Sequence, residues 1–221
     1  MRSTLTTLVF LLPPGNLKNR LLNRLGHEIH PAARIGICLV QRVARFELAE
    51  GVLIGHFNFF RDMTLVKLGR GSRIMMFNQI LGDSGFESVP GGDEGDRQTL
   101  RMGDYSHIIS HHYMDCGGGL RMGDNCWITG IRTTVLTHAF DPHEGVMLIQ
   151  PVILGNGAVV ATSCTLLPGT VLEDGMLLGA GSTTWTGQTA NAHHLYGGVP
   201  ARRLSKIEIA PHAYDRARFD A

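Results

Sequence analysis

One apolar ladder limits what this chain can fold into. Between residues 151 and 202 an apolar rung returns at every sixth position, and the ladder ends at a threonine. Its rungs are Leu154, Val160, Leu166, Leu172, Leu178 and Thr184. An α-helix repeats its apolar face every 3.6 residues and a simple strand every 2. A period of six therefore predicts a β-helix, in which short strands meet at tight corners.

Three steps of six would form one coil of eighteen residues. Each rung then stacks on the rung eighteen residues later, which predicts Leu154 on Leu172, Val160 on Leu178 and Leu166 on Thr184. The chain contains 28 glycines among 221 residues, above the usual share of about 7%. We attribute this excess to corners, where Gly accepts a positive φ.

The ladder extends towards the N-terminus with two interruptions. Surplus residues between Leu68 and Met102, and again between Met122 and Leu154, predict protruding loops at 82–99 and 138–151, the first of them acidic. We therefore predict an all-β solenoid of about seven coils over residues 29–187. The earlier rungs are Ile29, Ile35, Leu48, Ile54, Phe60, Leu68, Ile74, Ile80, Met102, Ile108, Met114, Met122, Ile128 and Thr134.

The segments outside the ladder are predicted to finish the solenoid. Residues 1–28 form a cap with one short helix over 17–25, because an open solenoid end exposes apolar rungs. Asn16 is the expected N-cap, and the expected apolar face is Leu17, Leu21, Leu22 and Leu25. The apolar run 5–12 is too short to span a bilayer and is expected to pack on the same end. Residues 188–221 form a C-terminal extension.

Composition narrows the classes of partner and compartment. The formal net charge of +1 favours neither nucleic acid nor a membrane surface as a partner. The four cysteines, Cys38, Cys116, Cys126 and Cys164, contain no C-x-x-C pair, which argues against zinc-ribbon and thioredoxin-like sites. We interpret them as packed thiols of a protein in the reducing cytoplasm.

Two motifs flank the ladder. Leu-Thr-His-Ala-Phe-Asp-Pro occupies 136–142, and Tyr-Gly-Gly-Val-Pro-Ala-Arg occupies 196–202. Together with the ladder, over roughly residues 17 to 204, they resemble the hexapeptide-repeat acyltransferases, most of all the maltose, galactoside and capsular-polysaccharide O-acetyltransferases. The resemblance implies a left-handed parallel β-helix and a homotrimer with active sites between subunits. It also implies acetyl-CoA as co-substrate and a hydroxyl of a sugar or polysaccharide unit as acceptor.

His138 is the candidate general base. Acyl transfer from a thioester to a hydroxyl needs a base of near-neutral pKa, which imidazole supplies, and the resemblance assigns this role to the His of the 136–142 motif. A second group should orient its other ring nitrogen. Asp115, reaching across a subunit cleft, Asp141 and a backbone carbonyl all remain candidates, although an Asp before Pro is often a turn residue.

The resemblance also implies binding sites. His111 or His112 is expected to line the acceptor pocket, where galactoside-type relatives have Asn. The donor is expected to lie along the last coils. Its candidate contacts are Thr162, Ala180, Arg202, Arg203 and Trp185, and the arginines suit phosphate. Relatives commonly have Lys at the position of Trp185, so this residue either stacks on adenine or covers the end of the prism.

Three alternatives remain open. The acceptor could be the amine of an amino sugar or an antibiotic. The same solenoid occurs in γ-type carbonic anhydrases, where histidines from two subunits hold zinc, and His107, His111, His112 and His138 would supply imidazoles, although their spacing does not match. A non-catalytic solenoid is the third alternative. On the leading hypothesis no metal is expected.

Overall fold

The computed structural model describes residues 2–83, 85 and 94–209, which form a parallel β-helix of left-handed type. Three parallel sheets run along it, and each of the first six coils contributes one strand to each sheet in turn. Within the described residues, the first sheet contains eight strands: β1 (Glu28–Ile29), β4 (Phe46–Leu48), β7 (Leu65–Leu68), β10 (Thr99–Met102), β13 (Leu120–Met122), β18 (Val152–Leu154), β21 (Val171–Leu172) and β23 (Thr189–Ala190).

The other two sheets complete the triangular cross-section. The second contains β2 (Arg34–Ile35), β5 (Leu53–Ile54), β8 (Arg73–Ile74), β11 (His107–Ile108), β14 (Trp127–Ile128), β19 (Val159–Val160), β22 (Leu177–Leu178), β24 (His194–Gly197) and β25 (Arg202–Lys206). The third contains β3 (Leu39–Gln41), β6 (Phe59–Arg61), β9 (Gln79–Leu81), β12 (Tyr113–Asp115), β15 (Thr134–Val135) and β20 (Thr165–Leu166). Only β25 pairs antiparallel in these three sheets, against β24.

The register of the last coils confirms the predicted ladder. Leu154 pairs with Leu172 and Val160 with Leu178. A bridge from Thr165 to Thr183 aligns the following residues, Leu166 and Thr184. Because inward side chains repeat at the same place in every coil, the rungs form one continuous buried core, and Val160, Leu166, Leu172 and Leu178 have no exposed surface.

One earlier rung was assigned wrongly. Met114 pairs with Val135, and Thr134 pairs with the outward-facing Tyr113. Val135 is fully buried, whereas Thr134 is half-buried. This coil has one extra residue at the corner that contains Gly130 and Arg132, both with positive φ. The extra residue shifts the inward-facing position from 134 to 135.

Many glycines have the positive φ predicted for corners, among them Gly51, Gly71 and Gly157, but glycine directly after a rung has another cause. Gly103 follows the rung Met102, but its φ is not positive. A Cβ on Gly103 would lie 2.7 Å from the backbone nitrogen of Asp124 in the next coil, closer than real Cβ contacts. The aliphatic-Gly pair therefore marks close stacking of coils, while other residues take the positive φ of the corners.

The N-terminal cap contains two helices, where one was predicted. Helix α1 (Arg2–Phe10) packs on β3, and α2 (Asn16–Arg24) packs on β1. The N-cap of α2 is Gly15, with no side-chain cap, so Asn16 does not have the expected role. Leu17 is 68% exposed. The helix instead buries Lys18, Asn19 and Leu22.

Lys18 joins the cap to the first coil. Its Nζ donates hydrogen bonds to the carbonyls of Phe10 (2.8 Å), Leu12 (3.0 Å) and Gly36 (2.6 Å). Burial lowers the pKa of this amine to about 8. The three acceptors satisfy the three donors of an ammonium group, which is why a lysine is tolerated on the buried side of α2.

Regular structure occurs in the second insertion and at the described end of the first. The second contains the antiparallel hairpin of β16 (His138–Asp141) and β17 (Val146–Ile149). The first ends in a 3-10 turn, Glu94–Asp96, and in β10, which already contains Thr99. Asp96 is buried beside Arg101 and Arg121. The acidic residues Glu87 and Asp93 lie outside the described residues.

The β-helix also continues beyond residue 187, because β23 and β24 still pair with β21 and β22. The C-terminal extension predicted at 188 thus begins inside the last coil. No helix among the described residues is long and apolar enough to cross a membrane. The four cysteines are buried and unpaired with one another.

Candidate active site

The third sheet brings His138 and Asp115 together at its carboxyl end. Asp115 ends β12, and His138 follows two residues after Leu136, where the chain leaves β15 to enter the hairpin. The Nδ1 atom of His138 lies 2.8 Å from Oδ2 of Asp115. The Asp115 side chain is 1% exposed, whereas that of His138 is 20% exposed. The imidazole is thus partly exposed, while its Nδ1 contacts a buried carboxylate.

Backbone amides hold the Asp115 carboxylate in place. Its Oδ1 accepts from the Gly117 amide (2.8 Å), and its Oδ2 accepts from the amides of Thr137 (2.7 Å) and His138 (3.2 Å). Two of these donors belong to the segment that carries the imidazole. The carboxylate therefore fixes the backbone at the base of the hairpin as well as the ring.

The electrostatics of the pair follow from this geometry. Burial raises the pKa of Asp115, but the contact with His138 and the amides of Gly117 and Thr137 outweigh burial, and the net pKa is lowered. The Asp115 contact raises the pKa of His138 against the opposing effect of burial. Both shifts favour a carboxylate beside a proton on Nδ1, which leaves Nε2 as the atom that exchanges protons with a substrate.

This geometry corrects the expected placement of the orienting group. Asp115 contacts His138 within one chain, so no subunit cleft separates them. Asp141 serves the hairpin turn, where its Oδ1 accepts from the amides of His143 (2.8 Å) and Glu144 (3.3 Å). Of the two carboxylates considered, Asp115 is the one in contact with the imidazole.

Sequence reasoning missed Asp83. Its Oδ2 lies 3.7 Å from Nε2 of His138, at the start of the first insertion. Register explains the proximity, because Leu81 of β9 pairs with Asp115 of β12, and Asp83 follows two residues later. The predicted stacking of coils therefore already contained the signal for this proximity.

The neighbouring histidines occupy different environments. His112 is buried, and its Nδ1 accepts from the Thr133 amide (3.0 Å). Burial lowers its pKa to about 4. We therefore interpret His112 as a neutral structural residue at a corner. His111 is exposed, with φ of 60°, and its ring stacks on Phe77 at 5.0 Å.

His111 belongs to an exposed aromatic column, which we define as Phe57, Phe77 and His111. The rings of Phe57 and Phe77 stack at 5.3 Å, and the phenylalanines are 58% and 46% exposed. All three residues have φ near 60°, a conformation that bulky side chains rarely adopt. The column runs along the corner between the second and third sheets.

The same corner continues into the last coils. Each corner amide binds a carbonyl of the preceding coil, through the pairs Arg132–His111, Ser163–Ile131 and Gly181–Thr162. Thr162 and Ala180, the two expected donor contacts, occupy successive places on this corner. Thr162 is half-buried and hydrogen-bonded to Ile131, and Ala180 is exposed.

The remaining donor candidates meet at the C-terminal end. The Arg202 guanidinium lies 4.5 Å from the centroid of the Trp185 ring, a cation–π contact. Trp185 is 40% exposed, and Arg202 and Arg203 are exposed on β25. These residues present two cations and an aromatic face to solvent, which suits a phosphate-bearing nucleotide.

The four histidines of the zinc alternative do not converge in the described part of the chain. His107 packs edge-on against Trp127 at 4.2 Å, while His111 and His112 have the environments given above. Only Asp83, Asp115 and His138 bring three potential ligand atoms within 4.8 Å of one another among the described residues. In that group the Asp115–His138 contact already pairs two of the three.

The fold is similar to that of solved acyltransferases. AntD, an N-acyltransferase from Bacillus cereus in complex with dTDP and 3-hydroxybutyryl-CoA, matches with a TM-score of 0.54 and 19% identity, over 86% of this chain and 88% of AntD. A hexapeptide-repeat acetyltransferase from Vibrio cholerae, VCA0836, matches with a TM-score of 0.46 and 19% identity, over 50% of this chain and 64% of that protein. The present chain thus spans less than two thirds of VCA0836.

A maltose O-acetyltransferase from Clostridium difficile 630 matches with a TM-score of 0.43 and 14% identity, over 94% of this chain and 85% of that protein. No protein-family model matches the sequence, and no curated protein matches it. At 19% identity, the similarity to AntD establishes the fold alone.

Proposed function

We propose that this protein is an acyl-CoA-dependent acyltransferase whose acceptor is a saccharide-like molecule. The observation that carries the proposal is the 2.8 Å contact between the buried Asp115 carboxylate and Nδ1 of His138. A base held in this way, at the edge of a hexapeptide-repeat β-helix, suits proton transfer from an attacking nucleophile. AntD, which shares the fold, was solved with an acyl-CoA.

In this mechanism His138 takes the nucleophile's proton at Nε2 while the nucleophile attacks the thioester carbonyl. Asp115 keeps the other ring proton on Nδ1 and stabilises the imidazolium that forms. His138 then returns its proton to the departing sulfur of coenzyme A. The base is therefore regenerated at the end of each turnover.

Acetyl-CoA and a sugar hydroxyl remain the donor and acceptor predicted from the sequence. An amino-sugar acceptor is the alternative, since the S84A mutant of AntD, an N-acyltransferase, was solved with dTDP-4-amino-4,6-dideoxyglucose and coenzyme A. Polysaccharide modification and a cytoplasmic location also stay predictions. Calorimetry of acetyl-CoA and of free coenzyme A with the purified protein tests the donor half. Micromolar dissociation constants support the proposal, and no binding of either ligand contradicts it.

Arg202→Ala is expected to weaken acetyl-CoA binding about tenfold. The substitution removes a guanidinium that can form charge-assisted hydrogen bonds to phosphate, and a loss of about 1.4 kcal/mol corresponds to that factor. It also uncovers the Trp185 face. The dissociation constant from calorimetry checks the prediction.

Arg34→Ala is the matched control, since Arg34 is an exposed arginine of the same sheet at the opposite end of the β-helix. Its acetyl-CoA affinity should equal that of the wild type. Equal affinity for the Arg202 variant would remove Arg202 from the donor site.

We further propose that the aromatic column lies in the interface of a homotrimer. Apolar rings exposed in a row are unusual on a monomer, and Gly or Asn would take the positive φ with less strain. Burial of each ring in an interface would contribute roughly 1.5–3 kcal/mol, which is a reason for aromatic residues at strained positions.

Phe77→Asp should therefore dissociate the assembly. We expect sedimentation velocity to give the mass of a trimer for the wild type and of a monomer for the variant, because a carboxylate in an apolar interface is poorly solvated. Leu17→Asp, at an exposed apolar position on α2, should remain trimeric. A Phe77→Asp trimer, or a monomeric wild type, would contradict this placement.

A further inference from the structure

A second hydrogen-bond acceptor lies near Nε2 of His138. Oδ2 of Asp83 lies 3.7 Å from Nε2 of His138, too far for a hydrogen bond between them. One atom placed between them can lie about 3 Å from both, within hydrogen-bond reach of each. The nucleophile of the proposed reaction has to occupy this place, because His138 takes its proton there.

Asp83 is held in position from two sides. Its backbone carbonyl accepts from the side-chain amide of Gln98 (2.7 Å), which ties the start of the first insertion to its end. An Arg61 Nη atom lies 3.9 Å from the Asp83 carboxylate. Gly82 packs so closely on the Asp62 carbonyl that no side chain fits there. Asp83 itself has φ of 48°, so the backbone turns at the residue that faces His138.

The charged groups around Nε2 of His138 favour a cationic ligand. The carboxylates of Asp83 and Asp115 flank the imidazole, and Arg61 is the cation beside Asp83. The Tyr113 hydroxyl is close enough for both carboxylates to raise its pKa, in addition to the effect of burial. Among the described residues at this place, two carboxylates face one guanidinium, and that guanidinium lies closer to Asp62 (3.3 Å) than to Asp83 (3.9 Å).

We propose that Asp83 determines acceptor specificity and selects an amine over a hydroxyl as the nucleophile. This inference rests on the proposed function, and it names an amine as acceptor where the sequence predicted a hydroxyl. A neutral amine has two hydrogens, one for Oδ2 of Asp83 and one for Nε2 of His138. A hydroxyl has one, which His138 requires, and it leaves the Asp83 carboxylate facing an oxygen lone pair.

Transfer to an amine balances in atoms and protons. The ammonium form of the acceptor first releases one proton to water. The nitrogen lone pair then forms the C–N bond to the thioester carbonyl carbon, and one N–H proton passes to Nε2 of His138. The C–S bond breaks, and sulfur leaves with the electron pair and takes that proton. The amide product retains one hydrogen, which still faces Asp83.

The test compares matched acceptors that differ only in the nucleophile. A panel of 2-, 3- and 4-amino hexoses, free and as nucleoside diphosphate sugars, is assayed beside the corresponding hydroxyl sugars by release of coenzyme A from acetyl-CoA. We expect wild-type kcat/KM to favour an amine by about 10²-fold or more, since a site built to hydrogen-bond a group strongly rejects an analogue that leaves it unpaired.

Asp83→Ala should reduce this preference at least tenfold, mainly through the KM of the amine. Asp83→Asn should restore part of it, because the amide oxygen still accepts a hydrogen bond. A merely structural role of Asp83 would lower both activities together and leave their ratio unchanged. Asp124→Asn is the control, since Asn156 already occupies the equivalent corner of the next coil, and its ratio should equal that of the wild type.

The failures are distinguishable. If acetyl-CoA binds, the amine inference is overturned by a wild-type preference for hydroxyls, by transfer to no amine of the panel, or by a ratio that Asp83→Ala leaves unchanged. Each of these outcomes leaves the proposed function standing. No binding of acetyl-CoA or coenzyme A overturns the proposed function itself. A preference for amines that Asp83→Ala abolishes supports both.

Discussion

His138→Ala is expected to lower turnover by roughly 10²–10⁴-fold, the usual contribution of a general base. Alanine cannot accept the nucleophile's proton. Asp83 is 3.7 Å from the lost Nε2, but a carboxylate is a much weaker base than imidazole near neutral pH. Steady-state kinetics with saturating acetyl-CoA measure the loss.

Binding and assembly should survive this substitution. The His138 side chain is 20% exposed and lies outside the row of core rungs, so its removal leaves no cavity in the β-helix. Acetyl-CoA affinity and sedimentation should both match the wild type. His143→Ala, an exposed histidine in the turn of the same hairpin, is the control and should retain full turnover. Turnover of His138→Ala close to that of the wild type would refute the assignment of the base.

Asp115→Asn is expected to have the second largest effect, a loss of activity of about 10²-fold or more. Both oxygens of Asp115 accept backbone amides, and Oδ2 also faces Nδ1 of His138. An asparagine replaces one oxygen with an NH₂ group, which then faces a donor. A buried group left unsatisfied costs about 1–3 kcal/mol, so thermal stability should fall as well.

The pH dependence separates the loss of activity in Asp115→Asn from its loss of stability. Asp115 raises the pKa of His138, and activity rises with pH as His138 loses its proton. Without the carboxylate the midpoint of kcat/KM should therefore move to lower pH. Because the pKa of Asp115 is lowered in the folded protein, its stabilisation is present above the unfolded value of about 3.9 and is lost as pH falls through the folded pKa.

The Asp115→Asn variant should lack this stabilisation, which in the wild type is lost at acid pH. Asp141→Asn provides the comparison, because that carboxylate accepts amides in the hairpin turn and its loss should leave the activity midpoint in place. An unchanged midpoint in Asp115→Asn would mean that Asp115 supports only the backbone.

The core of this fold could be predicted because its period is strict. Each rung meets the same rung of the next coil, so a spacing such as that between Leu154 and Leu172 fixes both burial and register. The prediction failed at Thr134, where one extra corner residue moved the rung to Val135. A corner can accommodate an extra residue in the left-handed conformation. The apolar pattern does not predict which corner does so.

The site was harder to predict than the core. His138 stands in a motif, but Asp115 reaches it through the pairing of strands that are distant in sequence. Asp83 contacts it because β9 and β12 align, which follows from the register and not from composition. The cap helix predicted over 17–25 is present as Asn16–Arg24, but its buried face was mispredicted for a related reason. Lys18 is buried because three carbonyls surround its ammonium, and periodicity only registers apolar residues.

Both ends of the β-helix restrict how copies of it can meet. At one end α1 and α2 lie on β3 and β1, so the hydrogen-bonding edge of the first coil is shielded. At the other end β25 turns back antiparallel on β24, and a parallel coil cannot continue past a strand of opposite direction. At the strands that these elements cover, end-to-end stacking of copies is therefore hindered, which favours side-by-side association.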